Sequence, residues 1–432
     1  MNFVPSRVSR APAAVLLAFL VSAGIAHCGA SAVTQAASKE LFSIQGNDLP
    51  GNFNGIGIQD VAISPDNKRI VVEFKVGEGQ GALGTWLGEW EIATKKLLNQ
   101  ARIEGPVQGE APSHPRFLRR LQFSADGSEI VAIAGRQLYL IDAASLELLF
   151  SLSALNAEGR PDPNVFVRSF AISGDGKVLA VLSGPPPLER GYDLVRLLKL
   201  KTGEEISRWP LSERSRSISL SMSGEYMLVT LWDPTTPRDI LLLDSSTGKK
   251  TETFESGFGY GSGYGAWDAL FVVPNRFVAT PGFGTDQKGR YSGYALRVFD
   301  AQAGRVTQEL TYEHFGPTAV IAVSNRAPVI VMLNLWMDPK AIKRSDRHVF
   351  HRVAQLLFFR LSENQPLCVL DPLPEGDIRM SRSGFLRFSP DLSLFVVLTG
   401  SKLTVYTVSN CGSPVPAEVK SITSPSNAAS VR

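Results

Sequence analysis

The sequence has few of the residues on which most metal sites and catalytic centres depend. It has three cysteines and five histidines among 432 residues, and neither a Gly-x-Ser-x-Gly nucleophile elbow nor a His-Glu-x-x-His zinc motif occurs. Such motifs place a nucleophile or a metal ligand at a fixed spacing. His348 and His351 are close in sequence, but basic residues surround them, and nearby cations disfavour a metal. We therefore predict no catalytic residue, no metal and no cofactor.

Neither sign of charge dominates the chain. Lys and Arg total 44, Asp and Glu total 41, and the formal net charge is +3. Nucleic-acid-binding domains usually show a basic patch and a pI above about 9. The balance therefore argues against nucleic acid as a partner. Apolar residues make up 44% of the chain, which is enough to build a packed core.

No segment beyond the N-terminal region approaches the length of a transmembrane helix. Arg7 and Arg10 form a basic region, Ala11–Ala26 is apolar, and Ala30-Ser31-Ala32 supplies small residues for cleavage. The apolar run is shorter than the roughly 20 residues that span a bilayer. This order is typical of a secretory signal peptide. We predict a signal over residues 1–32 and an exported protein, periplasmic or extracellular.

The cysteines divide between this signal and the remainder of the chain. Ile25-Ala26-His27-Cys28 resembles a lipobox, but His27 stands where a small residue is expected, so we do not expect a lipid anchor at Cys28. The signal leaves Cys368 and Cys411. A pair of cysteines in an exported protein favours a disulfide. Two separate buried thiols are the alternative.

A short turn phrase recurs along the rest of the chain at a period near fifty residues. Seven occurrences share a Ser-x-Asp-Gly-like pattern, degraded in the fifth and sixth: Ser64–Lys68, Ser124–Ser128, Ser173–Lys177, Ser221–Glu225, Val273–Arg276, Ser324–Ala327 and Ser389–Ser393. A period of this length that runs through a whole chain indicates a repeat architecture.

Each turn phrase follows a segment that alternates with period two. The residues one and three positions before the phrase are apolar in all seven units, for example Ile63 and Val61 or Phe123 and Leu121. This alternation is typical of a strand with one buried face. Three further strand-like runs follow in a typical unit, and helical periodicity is lacking. The pattern predicts an all-β, seven-bladed β-propeller with four-stranded blades.

The repeat words resemble those of the WD40-like and YVTN-type propeller families. The matching words are Ile63–Lys68 (ISPDNK), Phe388–Asp391 (FSPD) and Val298–Gly304 (VFDAQAG), and the resemblance covers Leu41–Cys411. The Gly-His and Trp-Asp dipeptides of strict WD40 repeats are absent at the expected places. The resemblance therefore implies the propeller shape and leaves the function open.

A propeller must join its two ends. The last unit offers only three strands, whereas Leu41–Gln45 (LFSIQ) is a strand-like run with no unit of its own. We predict that this N-terminal strand becomes the outer strand of the last blade. The propeller then spans residues 40–412. Residues 413–432 are rich in Ser and Pro, so we expect a disordered C-terminal tail.

Long connections are predicted to gather on one face of the propeller, here called the long-loop face, with the Asp-Gly turns on the opposite turn face. Loops held by a rigid frame commonly carry function. The most unusual one is Gly257–Trp267 (GFGYGSGYGAW), in which glycines alternate with aromatic residues. We consider its rings candidate ligand contacts: Phe258, Tyr260, Tyr264 and Trp267. Packing of these rings on a neighbouring blade is the alternative.

A second candidate site is defined by the position five residues before the turn phrase. Blades two, three and four carry Arg119, Arg168 and Arg216 there, and blade five carries Asp268. Three guanidinium groups near the mouth of a central channel would favour a carboxylate or phosphate ligand. The alternative is that each arginine pairs with an acid on a neighbouring blade or reaches water.

Three functional hypotheses follow from these patterns. The first is an exported, non-catalytic scaffold, expected to be a monomer, that binds a protein or peptide through the long-loop face. The second is a hydrolase-type, lactonase-like enzyme at the channel mouth, and the third is a binder of a small ligand or carbohydrate. The first is favoured because the chain lacks a recognisable catalytic constellation.

Overall fold

The computed structural model describes sixteen segments of the chain. They are residues 34–45, 57–76, 84–104, 121–134, 136–185, 191–231, 239–255, 268–273, 276–280, 296–310, 318–324, 327–337, 352–370, 385–399, 402–409 and 411. All of them belong to the compact unit Val33–Arg432. The predicted signal peptide, the predicted tail and the loop at 257–267 lie outside the described residues.

The described residues form 29 strands and no helix. Blades are numbered in chain order, and their strands are β3 (Gly57–Ile63), β4 (Arg69–Val76), β5 (Gly84–Glu91) and β6 (Leu97–Glu104) in blade 1; β7 (Leu121–Phe123), β8 (Glu129–Ala134), β9 (Gln137–Asp142) and β10 (Leu148–Ser153) in blade 2; β11 (Phe166–Ile172), β12 (Val178–Gly184), β13 (Asp193–Lys199) and β14 (Glu205–Leu211) in blade 3; β15 (Ser215–Leu220), β16 (Tyr226–Leu231), β17 (Ile240–Asp244) and β18 (Lys250–Phe254) in blade 4; β19 (Asp268–Val273), β20 (Arg276–Thr280), β21 (Leu296–Asp300) and β22 (Arg305–Leu310) in blade 5; β23 (Thr318–Val323), β24 (Val329–Met337), β25 (Arg352–Arg360), β26 (Pro366–Leu370) and β1 (Thr34–Gln35) in blade 6; and β27 (Phe385–Phe388), β28 (Leu394–Thr399), β29 (Lys402–Ser409) and β2 (Ala37–Gln45) in blade 7.

The sheets are arranged in a closed ring. The first strand of one blade contacts the first strand of the next, as in β3 with β7, β11 with β15 and β15 with β19. The first strand of blade 7, β27, contacts the first strand of blade 1, β3, so the ring closes. Seven apolar clusters fill the seven spaces between neighbouring blades, including the space between blades 7 and 1. The predicted seven-bladed β-propeller is confirmed.

The alternation seen in the sequence explains the burial of the inner strands. Val61, Ile63, Leu121 and Phe123 are all at most 5% exposed. Because both faces of a blade pack against neighbouring blades, the intervening positions are also covered. Ala62, for example, is 7% exposed. Apolar burial on both faces stabilises each sheet.

The N-terminal strand closes the ring, as predicted. β2 pairs antiparallel with β29, from Ala37 opposite Ser409 to Gln45 opposite Lys402. Phe42 and Ile44 of this strand are 6% and 2% exposed and pack in the cluster between blades 7 and 1. The strand begins at Ala37, earlier than the predicted Leu41, because polar residues continue the pairing beyond the apolar run.

A fifth strand in blade 6 was not predicted. β1 pairs in parallel with β26, with Thr34 opposite Cys368 and Gln35 opposite Val369, and the Ala36 N–H donates to the Val369 carbonyl over 2.8 Å. Two residues are too few to show alternation, so the sequence gives no sign of this strand. The N-terminal segment therefore contacts blade 6 before it enters blade 7.

Candidate functional site

The strand order gives the two faces of the propeller different connections. On the turn face, the first and second strands of each blade are joined by short turns, such as residues 64–68 between β3 and β4 or 124–128 between β7 and β8. On the long-loop face, the second and third strands of a blade are joined by longer connections. Residues 281–295 lie between β20 and β21, and residues 338–351 lie between β24 and β25. The predicted gathering of long connections on one face follows directly from these bounds.

The turn face is held by a repeated hydrogen-bond pattern. In blade 2, the Ser124 hydroxyl and the Ser128 N–H donate to Asp126 Oδ1 over 2.7 and 3.1 Å, and the Glu129 N–H donates to Ser124 Oγ over 2.9 Å. The same bonds recur in blades 1, 3 and 7. Gly127 has a φ of 75°, the left-handed conformation that glycine adopts at little cost.

These bonds also fix the ionisation of the turn carboxylates. The Ser128 hydroxyl is the main group that lowers the pKa of Asp126, with further help from Ser124 and the Ser128 N–H. At Asp66, Asp175 and Asp391, burial would raise the pKa, but the serine hydroxyls and backbone donors outweigh it, and the pKa is lowered. The recurring aspartates are thus committed to turn structure.

The structure places two of the predicted arginines at equivalent backbone irregularities. Arg168 and Arg216 are the extra residues of β-bulges in β11 and β15, and Gln59 occupies the same position in β3. A bulge redirects the side chain of its extra residue. Arg168 is 7% exposed and Arg216 is 4% exposed, so both side chains lie inside the protein.

Arg168 takes part in an internal ion pair. Its Nη1 donates to Asp193 Oδ1 over 2.8 Å, and the Ser215 N–H of blade 4 donates to Asp193 Oδ2 over 2.6 Å. Burial raises the pKa of Asp193, whereas Arg168 and Ser215 lower it in part. Arg168 thus pairs with an acid of its own blade, whereas the alternative interpretation for these arginines placed the acid on a neighbouring blade. Its proposed contact with a ligand remains untested.

Asp193 was missed in the sequence, although a pattern points to it. An aspartate stands at the start of the third strand in both blades that carry a described arginine: Asp193 before Leu194, and Asp239 before Ile240. Asp193 and Asp239 are 1% and 2% exposed. A buried carboxylate needs a cation or hydrogen-bond donors beside it, and Arg168 and Ser215 supply both to Asp193.

Of the other residues predicted to contact a ligand, only Asp268 is among the described residues. Arg119, Phe258, Tyr260, Tyr264 and Trp267 lie outside the described residues, and Asp268 is the first residue of β19. Their roles on the long-loop face therefore stay predictions.

A second acid and arginine pair was also missed, and it spans the closure of the ring. Arg387 Nε of blade 7 lies 2.8 Å from Asp60 Oδ1 of blade 1, and the Leu121 N–H of blade 2 donates to Asp60 Oδ2 over 3.2 Å. Asp60 is fully buried. One carboxylate thus connects three consecutive blades. No local pattern points to this pair, because the partners of Asp60 are more than sixty residues away in the chain.

Two further contacts join neighbouring blades near the two ends of the chain. Asn67 of blade 1 donates from Nδ2 to Asp391 Oδ2 of blade 7 over 2.7 Å. Cys368 at the outer strand of blade 6 is bonded to Cys411, which follows β29 of blade 7, with Cα atoms 5.4 Å apart. That separation is normal for a disulfide.

A cavity of about 250 Å³ lies at the turn-face end of the central channel. Residues from all seven blades line it, and none of them is charged. Its polar side chains are one glutamine and seven serines: Gln122, Ser124, Ser169, Ser173, Ser217, Ser219, Ser324 and Ser389. Such a wall offers hydrogen bonds to water or a neutral molecule but no acid or base for proton transfer.

In the described part of the chain, no three His, Cys, Asp or Glu side chains lie close enough together to hold a metal ion. No helix of membrane-spanning length and hydrophobicity occurs in the same part of the chain.

Comparison with known proteins shows the fold. The chain is similar to the Pan2 WD40 domain of Neurospora crassa, with 12% identity over 88% of this chain and 97% of that one, at a TM-score of 0.52. Kuenenia stuttgartiensis hydrazine synthase aligns over 85% of this chain and 99% of that chain, with 12% identity and a TM-score of 0.49. No family model matches the sequence, and no curated protein matches it. At this identity, the first similarity supports a WD40-like β-propeller and says nothing about activity.

Proposed function

We propose that this chain is an exported, non-catalytic scaffold of the WD40-like, YVTN-type class that binds a protein or peptide through its long-loop face. The observation that supports this is the contrast between the two faces. The turn-face aspartates are committed to their own turns, whereas the connections that differ most in length all emerge on the opposite face.

The frame beneath the long-loop face is suited to this role. Buried polar groups fix its inner strands, as in the Arg168, Asp193 and Ser215 network that links blades 3 and 4. Ser183 also donates to the Leu155 carbonyl over 2.7 Å and so holds the connection between blades 2 and 3. Satisfied buried networks rigidify their surroundings. Loops on a rigid frame bind partners at a lower entropic cost.

The experiment that tests this proposal compares two surfaces of one protein. Residues 256–266 are replaced by a short Gly-Ser linker on the long-loop face, and Met222→Ala changes the turn face, where Met222 is 41% exposed. Both variants and the unaltered chain are used as bait for the exported fraction of the source cells. We expect the partner to be lost with the shortened loop and kept with Met222→Ala. Identical captured proteins from all three baits would overturn the proposal.

The same capture experiment, combined with a glycan array, distinguishes binding of a protein or peptide from binding of a small ligand or carbohydrate. A glycan array probed with the unaltered chain tests the aromatic loop directly, because stacking of a sugar on Tyr or Trp rings requires no protein partner. Binding to a glycan without any captured protein would favour the carbohydrate alternative over the scaffold.

Export is part of the proposal and has its own test. β1 begins at Thr34, just after the predicted cleavage site at Ala30-Ser31-Ala32. Cleavage there would leave β1 complete and free to pair with β26. We expect N-terminal sequencing of the mature protein to begin near Val33. A mature chain that keeps residues 1–32 would contradict export through this signal.

A further inference from the structure

Each blade ends in an outer strand, and one edge of that strand has N–H and C=O groups that its own blade does not pair. Natural proteins protect such edges with charged residues, proline or a covering segment. Among the seven outer strands that the structure describes, five contain charged residues: β2, β6, β14, β18 and β22. β26 has none, but β1 pairs with its edge.

β10 differs from the other outer strands in lacking all of these protections. Its sequence, Leu-Leu-Phe-Ser-Leu-Ser at Leu148–Ser153, has neither charge nor proline, and no described strand pairs with its outer edge. Within the described residues, one side chain donates to this edge, since Arg196 Nη1 lies 3.5 Å from the Ser153 carbonyl oxygen. Among the described residues, no other hydrogen bond reaches this edge.

Exposed apolar side chains lie on β10 and at matching positions of the two neighbouring blades. Leu148 and Leu149 are 53% and 49% exposed, and Leu98 and Ile206 are each 47% exposed. Leu98, Leu149 and Ile206 are the second residues of the outer strands in blades 1, 2 and 3. We call these four residues the β10 patch. Large exposed apolar side chains on an uncharged edge strand favour pairing with another chain.

In an antiparallel pair, hydrogen-bonded and non-hydrogen-bonded residues alternate. This alternation determines which backbone N–H and C=O groups of β10 are available to a further strand. The Asp142 N–H donates to the Glu147 carbonyl at one end, and the Ala154 N–H donates to the Arg136 carbonyl at the other. Between them β10 pairs with β9, with a bulge at Leu149. Ser151 and Ser153 therefore direct their backbone groups away from β9.

We propose that β10 pairs with the β10 strand of a second copy of this chain, antiparallel and centred on Ser151. Ser151 then lies opposite Ser151 of the second copy, and Phe150 lies opposite Leu152. Apolar cross-strand pairs of this kind stabilise a two-stranded contact. A two-fold axis places the same surface on both partners, so an uncharged strand meets an uncharged strand and no ionised group is buried unpaired.

The fold itself contains an example of such an addition. β1 lies along the outer edge of β26, and β26 is the other outer strand without a charged residue. Of the two outer strands without a charged residue, β26 is thus paired with β1 on its outer edge, whereas β10 is paired there with no described strand. The proposed dimer replaces the monomer expected from the sequence, where the exposure of β10 could not be seen. It does not involve the long-loop face, so it can fail without affecting the proposed function.

The test is the molar mass of the purified chain in solution, measured by sedimentation from low to high micromolar concentration. Because an edge contact covers less surface than an obligate interface, we expect a dimer whose fraction rises with concentration. Leu149→Lys places a charge in the β10 patch, and Ser151→Pro removes the N–H at the centre of the contact. Both should remain monomeric over the same range, with unchanged circular dichroism.

A matched control separates this contact from a general effect of added charge. Val306 is 39% exposed on the outer strand of blade 5, immediately before the bulge of β22, and so occupies the position that Leu148 has in β10. Val306→Lys should dimerise like the unaltered chain. The proposal is overturned if the unaltered chain is monomeric throughout, if both β10 variants still dimerise, or if Val306→Lys also abolishes the dimer.

Discussion

At the scale of single residues, the buried ion pair of Arg168 and Asp193 is the most sensitive feature. Removal of one partner leaves an uncompensated charge inside the protein, which typically costs about 3–5 kcal/mol. We expect Asp193→Ala to lower the free energy of unfolding by that amount in denaturant titrations. The double variant Arg168→Met, Asp193→Leu should recover much of the loss, because neither charge is then buried.

An exposed ion pair supplies the control for that experiment. Lys199 Nζ lies 2.7 Å from Glu204 Oε2, and the two side chains are 54% and 62% exposed. Surface pairs of this kind contribute little, so Glu204→Ala should leave the unfolding midpoint nearly unchanged. Equal losses from Asp193→Ala and Glu204→Ala would contradict the importance assigned to the buried pair.

The turn aspartates predict how stability depends on pH. The pKa of Asp126 is lowered in the folded protein, chiefly by the Ser128 hydroxyl, so the unfolded chain takes up the proton first as the pH falls. The stabilisation is complete above the unfolded pKa of about 3.9 and is lost progressively below it. We expect Asp126→Asn to be less stable than the unaltered chain at pH 7.

The same variant should also lose less stability on acidification. Thermal melts at pH 7 and at successive lower pH values would show the two curves converge below about pH 4. Parallel curves over the whole range would mean that Asp126 is not held in its charged form by the turn.

At this scale, the sequence predicts which positions are equivalent in different blades better than it predicts which side chains contact each other. The spacing of the turn phrase locates Arg168 and Arg216 at equivalent positions, and the structure shows them at equivalent bulges. Their side chains turn inward because a bulge adds a residue and changes the direction of the following ones. A regular period-two pattern contains no sign of that extra residue, so the burial of the arginines could not be predicted.

At the scale of elements, strand β2 closes the ring, and the bond between Cys368 and Cys411 holds the last two blades together. The disulfide joins blade 6 to blade 7 across a sequence separation of 43 residues. The chain-entropy relation gives about 4 kcal/mol for a loop of this size. We expect the Cys368→Ser, Cys411→Ser variant to lose that amount of unfolding free energy in denaturant titrations.

The bond itself can be examined before any substitution. Peptide mapping without reduction should yield a fragment in which Cys368 and Cys411 are linked. If both cysteines are recovered as free thiols from protein isolated under oxidising conditions, the link between blades 6 and 7 is absent, and the expected loss of stability disappears with it.

The closing strand and the added strand differ in how well the sequence predicts them. β2 was predicted because Phe42 and Ile44 alternate with polar residues and no unit of the repeat includes them. β1 has two residues and pairs only through its backbone with β26. Backbone pairing leaves no compositional trace, and the contact with blade 6 is visible only in the structure.

At the scale of the whole molecule, the repeat period determines the fold because each blade cannot bury its faces alone. Seven apolar clusters lie between neighbouring blades, and each depends on two units of the repeat. Function is less predictable, because the long connections vary independently of the core. Their composition alone does not specify a ligand.

The most direct test of the proposed function places a photoreactive amino acid on each face in turn. Tyr192 is 60% exposed beside β13 on the long-loop face, and Met222 is 41% exposed on the turn face. After irradiation in the exported fraction, we predict a crosslinked adduct with the protein partner from position 192 and none from position 222. An adduct from position 222 without one from position 192 would contradict binding through the long-loop face.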